Sequence, residues 1–222
     1  SLYGDLSVTE NLRFFGGIYR VPKDKLAERM AYAVGMAGLA GREDDLVSSL
    51  AGGWKQRLAL GCAILHSPPI LFLDEPTSGV DPVSRRRFWD LIHDLAANNV
   101  AVLVTTHYMD EAEYCDRIML INQGRVVASG SPTELKHTPL GGRMLQVECA
   151  SIGRAMHLLT TAKGVRDVAA FRDSLHVLTD RDSDGEAAIR ALLAGNGIAN
   201  VNIAPIEPGL EDVFVNLVAR PA

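Results

Sequence analysis

Apolar residues recur at helical steps along the first part of the chain. Leu12, Phe15 and Tyr19 follow the S-x-x-E capping box Ser7 to Glu10 and predict one helix. Leu26, Met30 and Val34, after Pro22, predict a second. Trp54, Leu58, Cys62 and Leu65, at i, i+4, i+8 and i+11, draw one stripe on a third helix, which Pro68-Pro69 stops. The rhythm then changes. Ile70-Leu71-Phe72-Leu73 is an unbroken apolar run that ends in Asp74-Glu75-Pro76, and it reads as a short strand buried on both faces. Asp81-Pro82 supplies an N-cap and a proline at the first helical position for a helix through Phe88, Leu91, Ile92 and Leu95. Val100 to Val104 is a second buried strand, ending at Thr105-Thr106-His107.

Beyond His107 the elements shorten. Met109 to Tyr114 predicts a brief helix, and Ile118 to Ile121 with Val126 to Ser129 flank Asn122-Gln123-Gly124-Arg125 as a hairpin. Ser131-Pro132-Thr133-Glu134 caps another short helix. Thr138-Pro139-Leu140-Gly141-Gly142 interrupts any element, so residues 137–143 are expected to form a linker. After it Leu145, Val147 and Cys149 alternate with polar residues as a strand, Ile152 to Ala162 is helical, and Val165 to Phe171 and Leu175 to Leu178 are strands. Ile189, Leu192 and Leu193 mark a helix ended by Gly195-Asn196-Gly197, and Val201 and Ile203 lie on a last strand. The order βαββαβ predicts a small ferredoxin-like α+β unit over 144–222, closed by an amphipathic helix carrying Leu210, Val213, Phe214 and Leu217.

Composition narrows this picture. With 222 residues, 47% hydrophobic and 22% charged, the chain has the balance of a globular protein of one or two domains. A formal charge of −5 disfavours a general nucleic-acid binder, which carries a basic face. Cys62, Cys115 and Cys149 are far apart and form no C-x-x-C, so they read as reduced thiols. No apolar run reaches the roughly eighteen residues of a membrane span, and membrane attachment is expected through a partner. His157 and His176 have no neighbouring ligand set in the sequence. Phe14, Phe15 and Tyr19 read as core or groove lining, and Glu43-Asp44-Asp45 as a solvated loop.

Chemistry gathers where the two apolar runs end. In open α/β sheets ligands bind outside the carboxyl ends of strands, so Asp74, Glu75 and His107 are expected at one sheet edge. Upstream, Gly52-Gly53 opens the third helix, where unpaired N–H groups and the positive end of the dipole suit an anion. The chain holds no G-x-x-x-x-G-K-[ST] loop and starts at Ser1 without methionine.

At these residues the sequence resembles the ATP-binding subunits of ABC transporters. Leu50-Ala51-Gly52-Gly53-Trp54 is similar to the family's signature loop, Ile70 to Glu75 to its Walker B strand with the following glutamate, Ser78 to Asp81 to its D-loop, and His107 to its switch histidine. The wording Gly-Trp-Lys-Gln-Arg-Leu-Ala-Leu, Leu-Asp-Glu-Pro-Thr-Ser-Gly-Val-Asp-Pro and Thr-Thr-His-Tyr-Met-Asp-Glu-Ala resembles bacterial ABC-2-type exporters, especially those of multidrug efflux.

The resemblance implies an α/β fold, part of a P-loop NTPase domain over 1–136, with a helical subdomain over about 7–66 and a core over about 67–136. It implies a fragment cut just after the family's Q-loop, not expected to hydrolyse ATP by itself. It further implies ATP and Mg²⁺ as ligands, with Asp74 holding Mg²⁺ through water, Glu75 as base for the attacking water and His107 donating to the γ-phosphate. Leu50 to Trp54 would face a nucleotide held by an opposite ATPase domain, in a homodimer or a fused tandem, and Ser78, Gly79 and Asp81 would join the two sites. The implied setting is the cytoplasmic face of the inner membrane, bound to an ABC-2 permease that the helical subdomain faces. The usual signature serine and glutamine are replaced here by Ala51 and Trp54, which removes a hydroxyl. A soluble ABC ATPase without a permease and a regulatory, non-hydrolysing ABC domain are the alternatives.

Overall fold

A computed structural model describes residues 1–181 and 184–219. Its residues group into two compact units, 1–107 and 108–222.

In the first unit three helices, α1 (Val8–Ile18), α2 (Lys23–Ala37) and α3 (Gly52–Ile64), share one apolar core. Both halves of the expected capping box are made: Ser7 N–H donates to Glu10 Oε2 at 2.7 Å and Glu10 N–H to Ser7 Oγ at 3.2 Å. Leu58, Cys62 and Leu65 are buried with Val8, Leu12 and Ala33, and Trp54 packs against them partly exposed, as the stripe predicts. Two buried polar residues complete this core. The Asn11 side chain donates to the carbonyls of Tyr3 and Ser7, tying the chain start to α1. Arg57 Nε donates at 2.8 Å to the carbonyl of Ala37, tying α3 to the end of α2.

Burial pushes the Cys62 thiol up to about 12. The neutral thiol is therefore favoured in the fold, and its contribution to stability is lost as pH rises above 9.0, its ordinary value, towards about 12. Cys62 is expected to resist alkylation at about pH 8.5 in the folded chain and to react once urea unfolds it; equal rates in both states would contradict this burial.

Strands β1 (Ile70–Asp74) and β2 (Ala101–Thr105) pair in parallel, with Asp74 opposite Thr105. The connecting helix α4 (Pro82–Ala97) packs against β2 and buries Phe88, Trp89, Ile92 and Leu95. The expectation of strands buried on both faces is corrected here. Leu71 is buried, whereas Ile70, Phe72 and Leu103 are exposed, because side chains alternate along a strand and one face of this two-stranded sheet is open.

The second unit begins with α5 (Met109–Ala112), the hairpin β3 (Ile118–Asn122) and β4 (Arg125–Gly130), and α6 (Pro132–Lys136). Then follow β5 (Gly142–Glu148), α7 (Ile152–Thr160), β6 (Val165–Phe171), β7 (Ser174–Asp180), α8 (Gly185–Gly195) and β8 (Asn202–Pro205). The four strands form one antiparallel sheet in the order β6-β7-β5-β8, the βαββαβ arrangement that the alternation predicts.

The last helix, α9 (Leu210–Ala219), explains why the units divide between His107 and Tyr108, not at 137–143. Leu210 is buried with Ala112, Ile118, Leu120 and Leu135, so residues 108–136 are packed against the end of the chain. Val213 meets Leu140 and Leu178, which makes the expected linker part of a core. On β7, His176 Nδ1 lies 2.9 Å from Asp212 Oδ1 of α9, with its ring stacked on Phe171.

Candidate functional site

β1 and β2 are parallel and in register, so their carboxyl ends arrive together. Thr105, the last residue of β2, hydrogen-bonds through its hydroxyl to Asp74 Oδ1. One residue on, the chain turns sharply: Glu75 adopts a left-handed φ of +45°, and its N–H donates to the Thr105 carbonyl at 3.0 Å. Because a non-glycine residue adopts this conformation at a cost, the two bonds to Thr105 are what hold Glu75 there. The turned carboxylate lies 2.8 Å from His107 Nδ1, at Oε2. Both side chains remain reachable from solvent, 35% and 62% exposed. Asp74, Glu75 and His107 thus meet at one sheet edge, as expected from the two apolar runs. Thr105 is the member that sequence reasoning missed; its only signal is a hydroxyl directly opposite Asp74 in the strand register.

The signature-like loop forms the start of α3. Ala51 is the N-cap, extended at φ −65° and ψ 154°, without a side-chain cap. Gly52 is exposed, and a Cβ there would meet nothing within 4 Å. The other three loop residues pack inward. Leu50 is buried in the helical core. Gly53 is packed on the start of α4, where a Cβ would sit 2.5 Å from Ser84 Cβ. The Trp54 ring lies beneath the Arg42 guanidinium, 4.1 Å from its carbon, and Arg42 is paired at 2.7 Å with Asp45. Of the five loop residues, Ala51 and Gly52 therefore present backbone outward, while Leu50, Gly53 and Trp54 hold that backbone in place.

Asp81 caps α4 by accepting from Ser84 N–H at 2.9 Å. Hydrogen bonds from the Ser84 backbone and side chain hold its carboxyl below the usual carboxylate range. Gly79 takes the positive φ of +70° that the turn before it requires. Between these segments lies a cleft of about 460 Å³ whose lining includes Ser48, Gly52, Lys55, Gln56, Ser78 and Gly79.

Among the described residues no group of three or more His, Cys, Asp or Glu is arranged to hold a metal unaided. Mg²⁺ is bound in nucleotide sites by one or two carboxylates, waters and substrate phosphates, and Asp74 with its Thr105 partner provides such a carboxylate. The residues fit that ion.

A family model described as ABC transporter matches residues 1–78, and one described as an AAA domain matches residues 55–109. The chain is 53% identical over 140 residues to the probable multidrug ABC transporter ATP-binding protein YbhF of Escherichia coli (strain K12), an alignment covering 61% of this chain and 24% of that protein. The matched segment is thus about a quarter of that relative's length. The linearmycin resistance ATP-binding protein LnrL of Bacillus subtilis (strain 168) is 32% identical, covering 99% of this chain and 72% of its own. The daunorubicin/doxorubicin resistance ATP-binding protein DrrA of Streptomyces peucetius is 35% identical, with 98% and 67% covered. Among solved structures, cbiO1 from Clostridium perfringens, part of the ABC transporter complex cbiONQ, superposes with a TM-score of 0.56 at 28% identity, covering 61% of this chain and 54% of that one. A relative aligned along nearly the whole chain, together with a strand edge that gathers two acids and a histidine, places this protein in the family of ABC transporter ATP-binding subunits.

Proposed function

We propose that the chain belongs to an ATP-hydrolysing subunit that drives export through an ABC-2-type permease, with drugs as the transported class. The observation that carries the reading is the Glu75–His107 contact of 2.8 Å beside Asp74, at the ends of two parallel strands. ATP hydrolysis needs a base for the attacking water and donors for the γ-phosphate. Glu75, turned out of the strand and half-buried, serves as that base. His107, in contact with it at 2.8 Å, orients the carboxylate and donates to the γ-phosphate. Asp74 would hold Mg²⁺, which would supply neutralisation of phosphate charge. Asp74 itself is kept in position by the Thr105 hydroxyl.

The outward backbone of Ala51 and Gly52, with the α3 dipole behind it, faces the nucleotide of a second ATPase domain, and Asp81 joins the two sites across that interface. Residues 1–136 then make up the ATPase segment, in a homodimer or a tandem. Exposed Phe14 and Ile18 of α1 and its C-cap Tyr19, with Tyr3 set edge-on to Phe14 at 4.7 Å, offer an apolar face for the permease. Among the described residues no helix is long and apolar enough to cross a membrane, which is compatible with peripheral attachment at the cytoplasmic face. The names of LnrL and DrrA, ATP-binding proteins of linearmycin and of daunorubicin/doxorubicin resistance, support the substrate class.

The test is purification of the full-length protein from membranes. It is expected to bring down a membrane-spanning permease and to hydrolyse ATP faster with it than without. Recovery with ribosomes or DNA instead would overturn the transport reading.

A further inference from the structure

Lys55 carries the one charged side chain among the described residues lining the cleft beside Gly52. Its Nζ donates to the Ser48 carbonyl at 3.0 Å, which uses one of the three donors of an ammonium group. Ser48 is exposed, so its carbonyl can return to water without a burial penalty when Lys55 leaves it.

The rest of the loop is poorly equipped for a doubly charged terminal phosphate. Ala51 has no hydroxyl, Gly53 is pressed against Ser84, and the Trp54 ring is held beneath Arg42. What remains is the Gly52 N–H and the dipole of α3, both uncharged. Lys55 stands three residues on from Gly52, one turn along the same side of the helix, where its side chain can reach the same ligand atom.

We propose that Lys55 is the cationic contact for the terminal phosphate of a nucleotide presented to this face, exchanging the Ser48 carbonyl for a phosphate oxygen. This rests on the nucleotide-clamping role proposed above for the loop. It makes the cation, not a loop hydroxyl, the group that distinguishes ATP from ADP here, because only ATP carries a γ-phosphate. A hydrogen bond from a charged donor is stronger than one from a hydroxyl, so the exchange offsets the missing hydroxyl at Ala51.

The test compares Lys55→Ala, Lys55→Arg, the pair Ala51→Ser with Lys55→Ala, and Glu75→Gln in the full-length protein, by titrating ATP in the hydrolysis assay and measuring ADP affinity. Lys55→Ala is expected to raise half-saturating ATP about tenfold and to leave ADP affinity within about twofold. Lys55→Arg, which keeps the charge, stays near the parent. The added serine hydroxyl recovers much of the loss, since a hydroxyl at the N-cap places a donor at the same mouth. Parental ATP dependence in Lys55→Ala, or equal loss of ATP and ADP, would overturn the assignment. The parent and Glu75→Gln separate the two readings: if the parent hydrolyses ATP and Glu75→Gln stops it while Lys55→Ala changes nothing, only the Lys55 role fails; if the parent neither binds nor hydrolyses ATP, the nucleotide reading fails and takes Lys55 with it.

Discussion

Replacing Glu75 by Gln in the full-length protein is expected to lower ATP turnover by about 100-fold or more while ATP still draws two ATPase domains together. The amide keeps the size of the carboxylate and can still meet His107 Nδ1, so the turn at φ +45° and its two bonds to Thr105 survive. What disappears, on the role proposed for Glu75, is the basic oxygen that would take a proton from water. Binding, which in the proposed arrangement depends on phosphate contacts and on Gly52 of the opposite domain, is left in place. Sedimentation of the variant with and without ATP, beside phosphate release, checks both halves. Undiminished turnover would remove Glu75 from the base role, and loss of ATP-driven pairing would make it a structural residue.

The second large effect is expected at Gly53. A methyl group there would lie 2.5 Å from Ser84 Cβ, an atom fixed to the α4 backbone that cannot swing away. Gly53→Ala therefore forces the starts of α3 and α4 apart by roughly an ångström, at a cost of about 1 to 3 kcal/mol in stability. Displacement on that scale is expected to lower turnover by about 100-fold, because Gly52 and Asp81, assigned above to the proposed interface, ride on the two helix starts being separated. Ser84→Gly in the same chain removes the obstructing Cβ and hydroxyl. It retains the backbone N–H that caps onto Asp81, so it should restore most of both losses. Chemical denaturation and an ATPase assay on the single and double variants decide this. A single variant as active as the parent, or a double variant no better than the single, would mean that the contact does not set the geometry.

Much of the site was legible because its members end hydrophobic runs. A buried strand must stop where charge begins, so Ile70 to Leu73 before Asp74-Glu75, and Val100 to Val104 before His107, announce one edge if the strands are parallel neighbours. The helical stripe from Trp54 to Leu65 and the βαββαβ alternation were legible for the same reason: periodicity records which side faces a core. Contacts between residues distant in sequence were not. Asn11 binding backward to Tyr3, Arg57 reaching Ala37, and His176 meeting Asp212 leave no local pattern. Thr105 was hidden because threonine is ordinary at a strand end, and its meaning appears only in the register with Asp74. The division at residue 107 escaped for a related reason: Pro139 and Gly141-Gly142 look like a break, yet Leu140 between them is buried against Val213, a packing that only the returned α9 creates.

Central to the account is a strand edge that handles the nucleotide while the α3 start of a second domain closes over it. The most direct measurement is a structure of the full-length Glu75→Gln protein with ATP and Mg²⁺. The account predicts a γ-phosphate lying between residues 75 and 107 of one domain and Gly52 of the other, with the metal beside Asp74. A nucleotide bound away from that edge, or closed over by a surface without Gly52, would contradict it.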